Sequence, residues 1–382
     1  MRTEIPEAEL TEYLYDKASR QQIPLGGTFE LSPVCNFRCK MCYVRQTARQ
    51  VAESPRPILQ REDWRRIARE ARKCGLLYLL LTGGEPFLWP DFWSLYEQLN
   101  RMGFVLSINT NGSLLGEEEV ARLREMPPRK ISVTLYGASD ETYERLCGVR
   151  GAFRKVDRAI SLLQQAGIGV KLNCSLTPDN AEDLEKIVAY AKERNLDLTV
   201  AAYMFPPVRR EGESFGRNEA RFTAEEAGAY RLRVYELQNP PEQYHRFLEK
   251  ICQGYAEPLG LVKSCQDPLD GKVRCRAGKA SFWVTWDGRL TPCGMLPEPW
   301  AELKDRPFEE AWQQLLEMTG KLQLSGLCNQ CPDAALCHPC AAMAYGETGF
   351  VSGTPEYLCR ATREMHRLAC KTLCKPKTET TE

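Results

Sequence analysis

The chain has 382 residues, a length that predicts two globular domains. It contains 51 Lys or Arg and 51 Asp or Glu residues, so its formal net charge is zero, and 43% of its residues are hydrophobic. This charge balance gives no indication of nucleic-acid binding, and no apolar stretch approaches the roughly 18 residues that indicate a membrane span. The charged N-terminus lacks the apolar core of a signal peptide, so a cytoplasmic protein is expected.

The segment from residue 26 to residue 205 alternates predicted strands with predicted helices. The apolar run 76–86 ends in glycines and is typical of a strand buried on both faces of a parallel sheet. Strands are predicted within residues 26–32, 76–86, 105–112, 130–137, 170–177 and 196–205, and helices within residues 60–74, 90–102, 116–125, 139–166 and 180–194. The alternation indicates an α/β fold of about six βα units, fewer than the eight of a closed barrel.

The rest of the chain is less regular. Residues 206–221 are polar and predict a loop, and the helix that follows opens with Thr223 and Glu226 as a capping box. Further on, cysteines and prolines dominate, which is typical of a small domain that depends on metal. The predicted divisions are an N-terminal segment (1–25), a βα domain (26–221), bridging helices (222–263), a cysteine-rich domain (264–374) and a disordered tail (375–382).

The seventeen cysteines predict metal binding, because thiols stay reduced in the cytosol. Cys35, Cys39 and Cys42 follow the first predicted strand with the spacing C-x3-C-x2-C. Three thiolates suit a [4Fe–4S] cluster that keeps one iron free of protein ligands, whereas a structural zinc site would need a fourth Cys or His nearby. Unrelated buried cysteines, or part of a zinc site, are the alternatives.

Together with the later Gly83-Gly84-Glu85-Pro86 and the C-terminal cysteines, this run resembles the radical S-adenosylmethionine (SAM) superfamily, specifically its SPASM-domain branch. The resemblance covers roughly residues 25–362 and implies a partial (β/α)6 barrel. It further implies that SAM binds the open iron and is cleaved by one electron to a 5′-deoxyadenosyl radical, which abstracts hydrogen from substrate. Met41 replaces the aromatic residue that the family usually has before the last cysteine, and Tyr43 follows it directly.

The resemblance also implies which residues contact SAM. The glycine-rich loop, residues 83–86, ends a predicted strand and would bind the SAM amino group, with Glu85 nearby. Polar residues interrupt the next strands, and each would need a partner in ligand, water or backbone. The SAM-binding residues implied are Gly83, Gly84, Glu85, Pro86, Asn109, Thr134, Asn173, Tyr43 and either Arg150 or Lys171.

The C-terminal cysteines resemble the seven-cysteine SPASM signature, which implies two auxiliary [4Fe–4S] clusters. Its members here are Cys275, Cys293, Cys328, Cys331, Cys337, Cys340 and Cys359. The outer cluster would be held by Cys328, Cys331, Cys337 and Cys359, and the inner one by Cys275, Cys293 and Cys340. A domain with two zinc ions is the alternative.

Two departures from the family pattern concern the inner cluster. Ser281 stands where some relatives have an additional cysteine, and the last CxxC gap is one residue shorter than the commonest family spacing. Cys252 or Cys265 is a candidate fourth ligand, or the site stays open for substrate. No role is predicted for Cys370 and Cys374 beyond that of ordinary thiols.

No catalytic acid or base is predicted. Gly294 stands where sulfatase-maturing relatives have an aspartate after the second cysteine of the array, which weakens that interpretation. Tyr136, Asp287 and Tyr203 are conceivable proton or electron donors, although packing of the two aromatic residues and a Trp-Asp-Gly turn explain them more simply. His245 is expected on a helix surface.

The expected function is a radical SAM oxidoreductase that modifies a peptide or protein side chain, as in cross-link formation during peptide natural-product maturation. Three [4Fe–4S] clusters, SAM, and a flavodoxin- or ferredoxin-type electron donor are expected, with neither nucleic acid nor membrane as a partner. Residues 1–25 are too few for a peptide-recognition domain, so a separate recognition protein is one alternative. Sulfatase maturation, a small-molecule dehydrogenase and a zinc-stapled binding module are the competing functions.

Overall fold

A computed structural model of the chain describes residues 7–253 and 271–374. Its centre is a sheet whose strands, within these residues, follow the order β6-β5-β4-β3-β2-β1-β7-β8-β9. All neighbours from β6 to β7 pair in parallel, and the last two pairs are antiparallel. The strands are β1 (Gly26–Glu30), β2 (Tyr78–Thr82), β3 (Val105–Thr110), β4 (Lys130–Thr134), β5 (Val170–Ser175), β6 (Asp197–Ala201), β7 (Ser281–Val284), β8 (Arg289–Thr291) and β9 (Ala301–Glu302).

Helices connect and cover these strands. Short 3-10 turns at Pro86–Leu88 and Ala181–Asp183 precede two of them. The helices of the described residues are α1 (Glu7–Gln21), α2 (Ala48–Ala52), α3 (Arg61–Lys73), α4 (Phe92–Arg101), α5 (Glu117–Glu125), α6 (Asp140–Cys147), α7 (Ala152–Gln165), α8 (Leu184–Glu193), α9 (Val208–Glu211), α10 (Ala224–Gln238), α11 (Pro241–Cys252), α12 (Phe308–Gly320), α13 (Gly326–Asn329), α14 (Ala334–Cys337), α15 (Ala341–Thr348) and α16 (Glu356–Leu373).

The six βα units follow the sequence prediction closely. Strands β1 to β6 each lie within a predicted strand segment. The predicted helical segment 139–166 is divided into α6 and α7 at Gly148 and Gly151, because both glycines adopt left-handed φ angles of 67° and 65°. The predicted capping box of α10 is present, with the Thr223 hydroxyl accepting from the Glu226 amide. The α/β fold with a partial barrel is therefore confirmed.

The two faces of the sheet differ in chemistry. Leu81, Ile108, Val133 and Leu172 point to one face, where they are fully buried in the main hydrophobic core against the helices. The alternate positions of the same strands are mostly polar and partly exposed. Because side chains alternate along a strand, this second face is a polar surface that runs across β3 to β6.

The C-terminal domain contains more helix than the sequence indicated. Helix α16 is 18 residues long and packs along α10 and α11, and α12 buries Phe308 and Trp312 against the main core. The sheet also continues into this domain, because β7 pairs in parallel with β1. The predicted start of the domain at residue 264 and the predicted tail both lie outside the described residues. In the part of the chain that is described, no helix is long and apolar enough to cross a membrane.

Candidate active site

The cysteine loop follows β1 and is held by hydrogen bonds to several later elements. Arg38 and Lys40 donate backbone hydrogen bonds of 2.8 and 3.3 Å to the carbonyls of Cys147 and Leu146 at the end of α6. The Lys40 side chain pairs with Asp179, which follows β5, at 2.9 Å. These contacts place Cys35, Cys39 and Cys42 at the carboxyl ends of the parallel strands, where ligands of α/β proteins bind.

The sulfur atoms of this loop receive several N–H groups. The Phe37 amide is 3.4 Å from the Cys35 Sγ, the Asn111 side-chain amide is 3.7 Å from it, and the Arg45 amide is 3.3 Å from the Cys42 Sγ. The Cys39 thiol is buried, and a hydrogen bond from Cys147 lowers its pKa. N–H groups aimed at sulfur are typical of thiolates that hold iron–sulfur clusters.

The glycine-rich loop packs directly on the chain that precedes Cys35. The Gly84 amide donates to the Ser32 carbonyl at 2.7 Å, and the Glu85 amide donates to the Val34 carbonyl at 3.0 Å. A Cβ atom added at Gly83 or Gly84 would lie within 2.5 Å of a carbonyl oxygen of this segment. The two glycines therefore allow the loop to approach the cysteine segment, a reason distinct from the ligand contact that the sequence suggested.

Glu85 is fully buried and joins the loop to the end of β3. Its carboxylate accepts hydrogen bonds from the Thr110 hydroxyl and the Asn111 amide, each at 2.8 Å, and from the Phe87 amide at 3.3 Å. Burial raises the pKa of Glu85 to about 7, although these hydrogen bonds oppose the rise. Asn111 in turn contacts Cys35, so the three segments form one hydrogen-bonded assembly.

The polar face of the sheet brings three of the predicted SAM-binding residues together. Asn109 pairs with Ser132 across β3 and β4, and Thr134 pairs with Asn173 across β4 and β5. Lys171 is the partner of Ser132 on the other side, so it lies on this face too. Arg150 does not join them, because its side chain is exposed and pairs with Glu144 at 2.6 Å.

Tyr43 lies against Arg209, an arginine that the sequence did not single out. The Arg209 guanidinium carbon is 5.8 Å from the Tyr43 ring centroid. Arg209 also pairs with the buried Glu30, and Trp283 donates to the same carboxylate at 2.9 Å. The signal available in the sequence was Glu30 itself, since an acidic residue at the end of a buried strand needs a charged partner.

A small hollow opens beside Tyr43 and Arg209. Its volume is about 260 Å³, including its mouth, and aromatic or apolar side chains dominate its walls. The lining residues that matter for the chemistry are Tyr43, Phe205, Arg209, Met295 and Tyr345. Tyr43 directly follows Cys42 and Met295 is two residues after Cys293, so the hollow lies between the N-terminal and C-terminal cysteine sites.

The predicted outer set of cysteines lines a single larger hollow of about 500 Å³, part of it open to solvent. Burial raises the pKa of Cys337 to about 11, so its thiolate needs a cationic partner at neutral pH. The cysteines around this hollow are Cys328, Cys331, Cys337, Cys359 and also Cys340. The hollow thus brings the four predicted outer ligands together with Cys340, which was assigned to the inner set, and the division into two sets stays a prediction.

The predicted inner set lies next to it. Cys293 and Cys340 pack on the same small apolar cluster. Besides burial, the charge of Cys340 raises the pKa of Cys275, and Cys275 in turn raises the pKa of Cys293, so the three thiols are close together. Burial raises the pKa of Cys293 to about 12. Cys252 is bonded to Cys370 in the structure, so it is not placed as the fourth ligand, and Cys265 lies outside the described residues.

Whether these sites fit iron–sulfur clusters depends on their donors and space. Within residues 7–253 and 271–374, no three Cys, His, Asp or Glu side chains converge on one point as the ligands of a single metal ion would. In a [4Fe–4S] cluster each thiolate binds a different iron, so the sulfur atoms stand farther apart than around one ion. The N–H donors at Cys35 and Cys42 and the cysteine-lined hollow fit clusters of this kind.

The conceivable proton or electron donors have structural partners. The Tyr203 hydroxyl donates to Glu347 at 2.7 Å, and Asp287 accepts from Thr285 at 2.6 Å in the turn between β7 and β8. Tyr136 is in the aromatic cluster beside the cysteine loop. Its side chain also hydrogen bonds to Cys39. Tyr203 and Asp287 therefore have structural partners away from the cysteine loop, whereas Tyr136 contacts a predicted cluster ligand.

Comparison with known proteins adds an independent line of evidence. Residues 29–191 match the family model of the Radical SAM superfamily. The AdoMet-dependent heme synthase of Methanosarcina barkeri is 27% identical over 337 residues, which cover 84% of this chain and 92% of that protein.

Two solved structures share the fold across both domains. The structure of anSMEcpe with bound AdoMet and Kp18Cys peptide has a TM-score of 0.63 at 18% identity and covers 92% of this chain and 98% of that one. Streptococcus suis SuiB bound to precursor peptide SuiA has a TM-score of 0.61 at 17% identity, and 94% of this chain and 82% of that one are covered.

Proposed function

Since this chain is a radical SAM enzyme with the fold of the SPASM-type members, we propose that it oxidatively modifies a side chain of a peptide. The family resemblance inferred from the cysteines is confirmed. The peptide substrate, the cross-link and the number of clusters are parts of this proposal. A flavodoxin- or ferredoxin-type protein is the proposed electron donor, and a separate peptide-recognition protein is compatible with it.

Cys35, Cys39 and Cys42 are the proposed ligands of the SAM-binding cluster, and the polar face with Asn109, Thr134 and Asn173 is the proposed SAM surface. When bound, SAM and this cluster supply a 5′-deoxyadenosyl radical that abstracts one hydrogen atom from substrate. Loss of a second hydrogen as a proton leaves one electron, for which the C-terminal clusters are the proposed acceptors. The product is then lighter by two hydrogens.

The hollow between the two cysteine sites carries the substrate assignment. Tyr43, Phe205, Met295 and Tyr345 give it apolar walls, which favour contact with an apolar or aromatic side chain over a charged one. The peptides bound in the SuiB and anSMEcpe structures are consistent with such a substrate.

Tetrapyrrole chemistry is the second candidate, because a curated relative that matches over 84% of this chain is named a heme synthase. A macrocycle is far larger than the hollow as it stands, so it would have to bind elsewhere or after the walls of the hollow move apart. Sulfatase maturation is disfavoured by Gly294, where no acidic side chain is available beside Cys293.

The experiment is an anaerobic reaction of the reconstituted enzyme with SAM, a reductant and the peptide encoded beside the gene, read by mass spectrometry. A peptide lighter by two hydrogens together with 5′-deoxyadenosine supports the proposal. A parallel reaction with an iron porphyrin, in which that compound loses mass and the peptide does not, would replace it with the tetrapyrrole function. The Cys39→Ala protein is the control and should form no deoxyadenosine.

A further inference from the structure

A buried ion pair joins the start of the barrel to its far end. Glu30 ends β1, five residues before Cys35, and Arg209 is on α9, which follows β6. The Glu30 and Arg209 side chains are 1% and 11% exposed. Two guanidinium nitrogens donate to the two carboxylate oxygens at 2.8 and 2.7 Å, so the pair has the bidentate geometry that fixes both groups in orientation.

The same pair reaches the segment that carries Cys293. Arg209 Nη1 donates to the carbonyl of Gly294 at 3.0 Å, and Trp283 Nε1 donates to Glu30 Oε2 at 2.9 Å. The Trp283 ring covers Gly294 closely, because a Cβ atom added there would lie 2.9 Å from three ring atoms. The backbone after Cys293 is therefore held between a guanidinium group and an indole ring.

Arg209 contacts the N-terminal cysteine loop from its other side. Its guanidinium carbon is 5.8 Å from the ring centroid of Tyr43, the residue after Cys42. One side chain thus contacts the neighbours of Cys42 and Cys293 together. Tyr43 and Arg209 also share the hollow assigned to substrate.

We propose that Arg209 is a positioning residue, which sets the segment of Cys293 relative to the segment of Cys42 through its bidentate pair with Glu30. A buried ion pair is weak evidence for stability, but its planar fork restricts geometry. The inference about the segments stands on contacts alone. Its consequence for electron transfer rests on the proposed function, so the two are tested by separate measurements.

The main variant is the double substitution Glu30→Gln with Arg209→Met, which removes both charges and leaves no buried charge unpaired. Arg209→Lys keeps the charge but lacks the fork that holds Glu30 and the Gly294 carbonyl at once. The matched control is Glu347→Gln with Arg221→Met. This second buried Arg–Glu pair joins residues near α10 to α15, with side chains 9% and 5% exposed.

The first measurement is amide hydrogen exchange of the anaerobically reconstituted holoenzyme. Segment 293–296 should exchange at least about tenfold faster in the double variant, because the Gly294 carbonyl loses its charged donor and local opening of the segment becomes easier. Arg209→Lys should show an intermediate rate, and the control pair should leave this segment unchanged. Wild-type exchange in the main double variant or in Arg209→Lys, or an equal change in the control, would overturn the inference.

The second measurement is electron paramagnetic resonance during a reductive titration. The signal that disappears when Cys293 is replaced by Ala should shift in midpoint and line shape in the double variant. The signal that responds to SAM should remain as in the wild type. If only one cluster is present, the exchange experiment still decides the positioning role, while the titration shows that the proposed auxiliary chemistry is absent. An unshifted Cys293-dependent signal would overturn the consequence for electron transfer, while the exchange experiment decides the positioning role.

Discussion

The buried carboxyl group of Glu85 should make the protein less stable as the pH rises through neutrality. Its pKa is raised from 4.5 to about 7, mainly by burial. Because the folded protein binds this proton more tightly than the unfolded chain does, protonation of Glu85 stabilises the folded state. This contribution to the free energy of unfolding is complete below pH 4.5 and is lost as the pH rises through 7. A shift of this size corresponds to at most about 3.4 kcal/mol at about 1.36 kcal/mol per pKa unit.

Most of this effect falls in an accessible range. Between pH 5.5 and pH 8, linkage with these two pKa values predicts a loss of about 2 kcal/mol in the free energy of unfolding. The Glu85→Gln protein has no titrating group at this position, so the same loss should be missing from it. The assay is urea unfolding of the metal-free protein at both pH values, followed by circular dichroism, with the exposed Glu118→Gln as control.

The comparison of wild type with Glu85→Gln cancels every other titrating group. If the two proteins change equally between pH 5.5 and pH 8, Glu85 does not titrate in this range and the burial argument fails. If the wild type instead gains stability with pH relative to the variant, the hydrogen bonds from Thr110 and Asn111 outweigh burial and keep the carboxylate charged. Either result would also change the role expected of Glu85 beside bound SAM.

Three further changes have distinct expected results. Gly294→Ala should lower the free energy of unfolding by about 1–3 kcal/mol, because the new methyl group would collide with the Trp283 ring. In a double-mutant cycle Trp283→Leu should remove most of that loss, and additive effects would show that the Trp283 ring is not what excludes a side chain at residue 294. Cys39→Ala should reduce bound iron from about twelve to about eight atoms per chain by metal analysis, if three [4Fe–4S] clusters are present. Arg150→Ala should leave the affinity for SAM unchanged in equilibrium dialysis, because the Arg150 side chain is exposed and paired with Glu144. A weaker affinity would show that Arg150 contacts SAM after all.

Local sequence patterns were sufficient for the six βα units. The strands are marked by short apolar or alternating runs, and Thr223 with Glu226 marks a helix start within four residues. The cysteine spacing is likewise local, as the common hollow around Cys328 and Cys359 illustrates. Features of this kind are readable because the interacting groups are near one another in the chain.

Features that depend on distant residues were not predicted. Glu30 and Arg209 are 179 residues apart, and β1 pairs with β7 more than 250 residues later, so no periodicity relates them. The bonded Cys252 and Cys370, separated by 118 residues, were treated as separate thiols for the same reason. Asn111, which contacts Cys35, was visible as a polar residue after β3, but only the folded chain shows that its amide reaches the sulfur.

The surroundings of the hollow restrict the kind of oxidation that it can support. Among the described residues that line it, the groups able to take part in proton transfer are Tyr43, Arg209 and Tyr345. Burial raises the pKa of both phenols, and Arg209 stays protonated at neutral pH, so none of these groups accepts a proton. The Glu30 carboxylate is bonded to Arg209 and Trp283, and the Trp283 ring excludes an acidic side chain at Gly294. If the proposed function holds, the second hydrogen of the substrate would therefore leave to water or to a group of the substrate, and not to a side chain that lines the hollow.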